Sequence, residues 1–229
     1  WAAVEPLIPP RPPDRHPLGC HRPRIPDRDC FEAILFRLVT GCSWDVAGRL
    51  GKGSETTLRN RRDEWVAADV FARLVEEALA AYDRIIGLDL SDTALDGSQH
   101  KAPCGGDTGP NCTDKGRQGW KWSLLGDRRG IPIGWTIAPA NRHDAKLVAA
   151  TLDATDTRGL LSDVETMHFD RGYDFQFVRD DCAARGVVDV VIPPCRKRKK
   201  TGRLAKKTIP LGLRWPIERT NSWLTNFGQ

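Results

Sequence analysis

The sequence has no apolar run near the roughly 18–20 residues that a membrane span needs, and no secretory leader is visible at its start. With neither, the chain is expected in the cytoplasm and away from membranes. It also has no Cys-x-x-Cys pair. Its seven cysteines (Cys20, Cys30, Cys42, Cys104, Cys112, Cys182 and Cys195) are odd in number and widely spaced, which argues against a structural zinc centre. Reduced thiols fit better. Methionine is almost absent. The single one is Met167, and the chain opens on Trp1 and stops at Gln229 inside a helix-like run, so both ends read as cut from a longer frame. No internal repeat is evident.

What is present is enough apolar residue for a real core, 40% of 229 residues, and a net charge of +5. That length allows one large domain or two small ones. The charge is unevenly placed. Residues 193–219 hold ten Lys or Arg against one acid, Glu218, a surplus of nine that leaves the rest of the chain at −4 (5 − 9). A local basic block of this kind suggests a phosphate-facing surface, with Arg196, Lys197, Arg198, Lys199 and Lys200 at its centre. A merely solvated loop is the plainer alternative.

Residues 1–28 are rich in Pro and Arg and read as an extended arm. Helical spacing follows. Phe31, Ile34, Leu35 and Leu38 predict one apolar stripe, closed by Thr40-Gly41. Ser43 is placed to cap a short helix carrying Trp44, Ala47 and Leu50 inward, and Gly51-Lys52-Gly53 makes a turn. Ser54 then caps a third helix to about Trp65, and Asp69 a fourth with Phe71, Leu74, Val75, Ala78, Leu79 and Tyr82 on one face. Two short helices across a glycine turn suggest a helix-turn-helix. On its second helix Leu58 and Trp65 face inward, while Thr56, Arg59, Asn60 and Asp63 share the outer face. Arg and Asn suit guanine and adenine edges in the major groove. The reading is a DNA-binding domain over 1–86, with a plain helical bundle as its alternative.

The period changes near residue 91. Strands are expected over 91–97, 120–127 and 131–138, the last two joined by a hairpin turn at Asp127-Arg128-Arg129-Gly130. The segment 98–118 reads as irregular. A helix over about 143–156, a strand over 165–170, a helix over 175–185 capped by Asp174, an apolar central strand over 187–192 and a last helix from about Leu213 follow. This order is that of an RNase H-like α/β fold, assigned to residues 87–229.

Three acids fall where phosphodiester chemistry would need them. Asp96 lies on the first strand, Asp170 ends a later one, and Glu218 is on the last helix. In-line displacement at phosphorus is served by two divalent ions, one on each oxygen. Mg²⁺ takes oxygen ligands and keeps several waters, so a few carboxylates suffice. Each acid alone is ordinary; the set in this order is less so.

The motifs that surround these acids are Ala94-Leu95-Asp96-Gly97-Ser98, Thr108-Gly109-Pro110-Asn111 leading to Gly119-Trp120-Lys121-Trp122-Ser123-Leu124-Leu125, Asn141-Arg142-His143-Asp144, Asp170-Arg171-Gly172-Tyr173-Asp174 and Arg214-Trp215-Pro216-Ile217-Glu218-Arg219. In these the chain resembles the DDE transposases of bacterial insertion sequences, over nearly its whole length. The resemblance implies that Asp96, Asp170 and Glu218 form a triad holding Mg²⁺ or Mn²⁺, with two ions. It implies double-stranded DNA as partner, both the terminal inverted repeats and the target, a homo-oligomer on that DNA, and a place at the bacterial nucleoid. Of a Tyr-x2-Arg-x3-Glu-x6-Lys signature common in such enzymes, Arg214 and Glu218 are present, while Leu211 and Thr225 stand at the Tyr and Lys positions.

Supporting roles stay open. Arg214 and Glu218 are four apart and share a helix face, so Arg214 orients the acid, holds a phosphate or forms a surface pair. Lys121 meets phosphate or serves structure. His143 caps a helix start, touches DNA or moves a proton. The tryptophans belong to the core, or one stacks on a base. Two other functions compete: a non-catalytic or decayed DNA-binding fragment of such an enzyme, and a stand-alone RNase H-like nuclease, which would have no use for the N-terminal helices.

Overall fold

The computed structural model describes residues 1–10, 23–50, 53–102, 105–194 and 214–226. Chain packing divides it into two compact units, one containing Trp1–Gly87 and the other Leu88–Thr225.

The first unit is helical: α1 (Asp27–Thr40), α2 (Trp44–Leu50), α3 (Glu55–Ala67) and α4 (Val70–Ile86). Gly41 closes α1 at φ 68°, a left-handed conformation that glycine adopts without a Cβ penalty. Ser43 Oγ accepts from Val46 N–H at 3.3 Å, and Ser54 Oγ from Thr57 N–H at 3.2 Å, so both serines satisfy free helix donors. The core is Cys30, Ala33, Ile34, Trp44, Ala47, Leu58, Trp65 and Val70. Arg61 is buried with them, paired to Asp27, which ties α3 to the start of α1.

Several expectations change here. The buried edge of α1 is Cys30, Ala33 and Ile34, while Leu35 and Leu38 face outward. Cys30, Ala33 and Ile34 share one core with the Trp44 and Trp65 indoles, and the two leucines stay outside it. Leu50 is exposed too. Asp69 stands at the start of α4 with φ 55° and makes no capping bond through its side chain. The apolar face of α4 is only partly covered: Val70 is buried, Phe71, Leu74, Leu79 and Tyr82 half-buried, Val75 and Ala78 exposed. Residues 1–10 are not a bare arm. Glu5–Leu7 forms a 3₁₀ turn, Leu7 and Ile8 pack on the core, and the Trp1 and Phe31 rings meet edge to face at 6.1 Å. Gly51 and Lys52 lie outside the described residues.

The second unit is a six-stranded mixed sheet with helices on it. Its elements are β1 (Asp92–Lys101), β2 (Gly109–Pro110), β3 (Gln118–Gly126), β4 (Pro132–Pro139), α5 (Val148–Asp156), β5 (Thr166–His168), α6 (Gln176–Ala184), β6 (Asp189–Val191) and α7 (Trp215–Asn226). β3 runs antiparallel to β1, β2 and β4, β1 is parallel to β5, and β5 to β6. An antiparallel meander continued by parallel strands through helical crossovers is the RNase H-like topology, as expected. Leu95, Leu125, Ile133, Val148, Leu152, Met167, Phe169 and Val178 are fully buried. α5 packs on β3 and β4, where Thr151 Oγ1 donates to Ser123 Oγ at 2.9 Å. α7 packs through Ile217 on Ala94 and Leu124.

Here too the boundaries shift. β1 extends to Lys101, so part of the supposed irregular segment is strand. Phe175, not Asp174, stands at the cap position before α6, and Asp174 pairs with Arg179 instead. The apolar run at 187–192 is not a central strand. β6 ends the strand order, with Val188 86% and Val191 40% exposed; Val187 and Ile192 are buried and Val190 is half-buried. Cys30, Cys42, Cys112 and Cys182 are free thiols, and burial pushes the Cys182 thiol up to about 11; the other three cysteines lie outside the described residues. Among the described residues no helix is long and apolar enough to cross a membrane.

Candidate active site

The sheet register brings the first two acids together. Ala94 on β1 pairs with His168 on β5, and the strands are parallel. Asp96, midway along β1, and Asp170, just past the end of β5, each follow that pair by two residues and therefore stand level on neighbouring strands. Asp170 caps the 3₁₀ turn Arg171–Tyr173, its Oδ1 accepting from Arg171 N–H at 2.6 Å.

Glu218 arrives on α7, whose seat is fixed by the β3–β4 turn. Thr220 Oγ1 donates to the Gly130 carbonyl at 2.6 Å, and Arg219 Nη2 to the Arg129 carbonyl at 2.5 Å. Gly130 has φ +86°, and a Cβ there would stand 2.6 Å from the Pro216 carbonyl oxygen. Only glycine lets the helix come this close.

Two residues of this last segment reach all three acids. Arg214 Nη1 donates to Asp170 Oδ1 at 3.1 Å, and Nη2 to Glu218 Oε1 at 2.9 Å. Asn221 Nδ2 donates to Asp96 Oδ2 at 3.1 Å. Burial pushes the Asp96 carboxyl above the usual carboxylate range. The Arg214 charge, the Gly97 N–H and Asn221 act against that shift, and Glu218 adds to it. Asp170 and Glu218 are more open, with side chains 43% and 53% exposed.

Beneath the strand end lies a second group of polar residues. Lys121, a candidate phosphate ligand by sequence, is buried, and its ammonium donates to Asp144 Oδ1 at 2.9 Å. It sits on the α5 side of β3, away from Trp120 and Trp122. A Cβ on Gly97 would lie 2.9 Å from Asp144 Oδ1 and 3.4 Å from the Tyr173 hydroxyl, so the residue after Asp96 has to be small. Tyr173 is buried and its hydroxyl has no partner among the described residues; burial, then Asp144, Asp96 and Asp170, push that phenol well above its usual value. His143 takes the capping role: its Nδ1 accepts from Ala145 N–H at 3.2 Å.

Thr56, Arg59 and Asn60 lie on the outer side of α3, with Arg59 paired to Glu55. Arg196, Lys197, Arg198, Lys199 and Lys200 lie outside the described residues. Sequence reasoning did not single out Asn221, Asp144 or Tyr173. Asn221, three residues past Glu218, could have been found by following the same helix face.

Among the described residues, no three His, Cys, Asp or Glu side chains stand close enough as placed to hold a metal ion. The Arg214 guanidinium instead lies on two of the acids. The donors themselves, carboxylates only, are the hard oxygen ligands that Mg²⁺ and Mn²⁺ take, and two of them are open to solvent. In chemistry the residues fit such ions.

An RNase H-like sheet with one acid midway along β1, one just past the end of β5 and one on the packed last helix is the arrangement of the DDE-type nucleic-acid recombinases. A family model described as a transposase DDE domain matches residues 87–229, and one described as a putative transposase of the IS4/5 family matches residues 1–75. The chain belongs to the DDE transposases of insertion sequences. In particular it is 33% identical over 125 residues to the putative transposase for insertion sequence element IS402 of Burkholderia cepacia, across 52% of this chain and 56% of that protein. It is 37% identical over 103 residues to the insertion element IS402 uncharacterized 16.2 kDa protein of the same organism, across 44% of this chain and 69% of that one. The chain thus spans little more than half the length of the first. Among solved structures it is similar to the Mos1 transposase paired-end complex with left transposon end, at 14% identity and TM-score 0.30 over 77% of this chain and 61% of that one. The Mos1 strand transfer complex gives 15% and 0.32 over 77% and 60%. Likeness at that level carries no argument about the site. Membership in the DDE family implies a reaction dependent on divalent metal.

Proposed function

We propose that this chain binds the terminal inverted repeats of an insertion element, cuts one strand at its end, and joins the freed 3′-OH to target DNA. Residues 1–86 read the repeats, with Thr56, Arg59 and Asn60 on the base-facing side of α3, and residues 87–229 carry out the chemistry. One observation carries this reading: Arg214 and Asn221, seven residues apart, bond all three acids between them.

In the first step a water oxygen attacks phosphorus, the P–O3′ bond breaks, and the 3′ oxygen leaves with a proton. In the second that 3′-OH attacks a target phosphate and a target 3′-OH leaves, so one phosphodiester replaces another. Asp96, Asp170 and Glu218 would hold two ions, Mg²⁺ or Mn²⁺, which would supply positive charge to the attacking and leaving oxygens. Arg214, once off the acids, holds a non-bridging phosphate oxygen. The basic run from Arg196 to Lys200 holds flanking phosphates. Joining two element ends calls for more than one copy, so the active species is a homo-oligomer on DNA, in the cytoplasm at the nucleoid.

The test uses a labelled duplex ending in the element's inverted repeat, plasmid target and Mg²⁺ or Mn²⁺. Asp96→Asn, Asp170→Asn and Glu218→Gln should each lower cleavage and joining by several orders of magnitude with duplex binding kept. Cleavage without joining would favour a nuclease, binding alone a non-catalytic fragment, and full activity in any of the three variants would remove the triad.

A further inference from the structure

Trp122 on β3 donates its indole N–H to Asn221 Oδ1 at 2.8 Å, and Asn221 donates from Nδ2 to Asp96 Oδ2 at 3.1 Å. Chemistry dictates the direction of this chain. An indole N–H can only donate and an ionised carboxylate can only accept, so the amide must present oxygen to Trp122 and nitrogen to Asp96. Asn221 is 6% exposed, so its amide has little access to solvent that could replace these bonds. The three residues stand on three elements, β3, α7 and β1. Asn221 lies three residues past Glu218, so the bond that fixes the amide also fixes the turn of the helix that carries the other acid. Ile217, on the same helix, packs on Ala94 and Leu124 beside it.

We propose that Asn221, oriented by Trp122, is a positioning residue that sets Asp96 against Glu218 and so fixes the carboxylate spacing that receives divalent ions. The inference rests on the metal-site reading above. A purely structural role is the rival: buried indoles usually find an acceptor, and the amide would then only fasten α7 to the sheet. The two differ in what they move. A fastening bond changes stability; a positioning bond also changes ion affinity, and unequally between ions, because Mg²⁺ demands near-ideal octahedral geometry.

The full 229-residue chain, without DNA, is titrated with Mn²⁺ by electron paramagnetic resonance, then with Mg²⁺ in competition, with thermal unfolding in parallel. Asn221→Leu keeps the branched shape, though not the volume, and removes both bonds; it should weaken Mn²⁺ at least tenfold and Mg²⁺ more. Trp122→Phe removes the indole donor with part of the ring that packs on Ala94, Leu124 and Ile217, and leaves the Asn221–Asp96 bond in place. It should weaken Mn²⁺ about threefold, and it carries the test if Asn221→Leu does not fold. Asp96→Asn is the reference. If it binds Mn²⁺ like the parent, the metal-site reading fails. If it weakens binding while folded Trp122→Phe and Asn221→Leu match the parent in both ions, the metal site stands and the positioning role of Asn221 is overturned.

Discussion

Asp170 and Glu218 share one guanidinium: Arg214 lies 3.1 Å from an oxygen of the first and 2.9 Å from an oxygen of the second. A fixed positive charge thus sits where a divalent ion would be drawn, and ion entry has to displace it. Both acids are substantially exposed, so these pairs add less than about 1 kcal/mol to stability. Arg214→Gln should therefore leave the unfolding temperature nearly unchanged and tighten Mn²⁺ binding several-fold in the absence of DNA. Strand joining should fall at least tenfold, since the phosphate loses its donor. Calorimetry showing equal or weaker Mn²⁺ binding would mean that the arginine orients the acids rather than competing for them.

Asp96 should cost the apo protein stability at neutral pH. Its folded carboxyl titrates above the usual carboxylate range because it is buried, so the folded state favours the protonated form. The stabilisation this gives is complete below the unfolded value, near ~3.9, and is lost as pH rises through the raised folded one. Asp96→Asn has no charge to bury. It should melt higher than the parent at neutral pH without divalent ions, with the gap closing as pH falls to about 4. Melting curves across that range check it; a gap that is constant with pH would show that burial is not the cause.

Gly130 ties the hairpin turn to α7. Alanine there adopts an unfavourable φ and meets the Pro216 carbonyl. Gly130→Ala should cost about 2 kcal/mol or more and weaken Mn²⁺ binding by shifting the helix of Glu218. Gly159, at φ +70° with open space around it, is the control. Gly159→Ala should cost about 1–2 kcal/mol and leave ion affinity alone. Equal loss of Mn²⁺ binding in both would make the effect one of general stability.

The outer side of α3 should govern sequence choice. Arg59→Ala with Asn60→Ala in the full chain should lower the preference for the inverted repeat over random duplex, each good base contact being worth roughly 1–3 kcal/mol. Replacing Lys197, Arg198, Lys199 and Lys200 by Gln should instead weaken all duplexes alike and flatten the salt dependence, by about 0.9 in log–log slope for each phosphate no longer neutralised. Competition binding at two salt concentrations separates the effects. Preference untouched by the α3 change would place base reading elsewhere.

Much of the fold was legible because the sequence states local periods. The serine caps, the glycine that closes α1, the hairpin turn and the order of strands and helices all follow from spacing and turn chemistry. What failed depends on neighbours. The stripe on α1 shows that a face is apolar, not that Cys30 and Ala33 join the core and Leu35 and Leu38 stay outside it. The run at 187–192 says apolar strand, but its place at the end of the sheet order depends on pairing that no local pattern carries. Lys121 alternates with Trp120 and Trp122, so it had to point to the other side of β3. That the other side is α5 and Asp144, not phosphate, becomes clear only when the helix is in place. The three acids could be named from their motifs. Asn221 and Tyr173 gain meaning only beside Asp96, which precedes the first by 125 residues (221 − 96) and the second by 77 (173 − 96).

The acids reach the site from distant parts of the chain, and translation therefore sets their timing. Asp96 and Glu218 are 122 residues apart in sequence (218 − 96). At about 5–20 residues per second the ribosome reaches Glu218 roughly 6–24 s after Asp96 has been made. The helical N-terminal unit is finished earlier still. A nascent chain can therefore fold its first helices while the cutting site lacks its third acid and the amide that orients the first. On the function proposed above, a half-made enzyme would hold DNA without cutting it until α7 has docked.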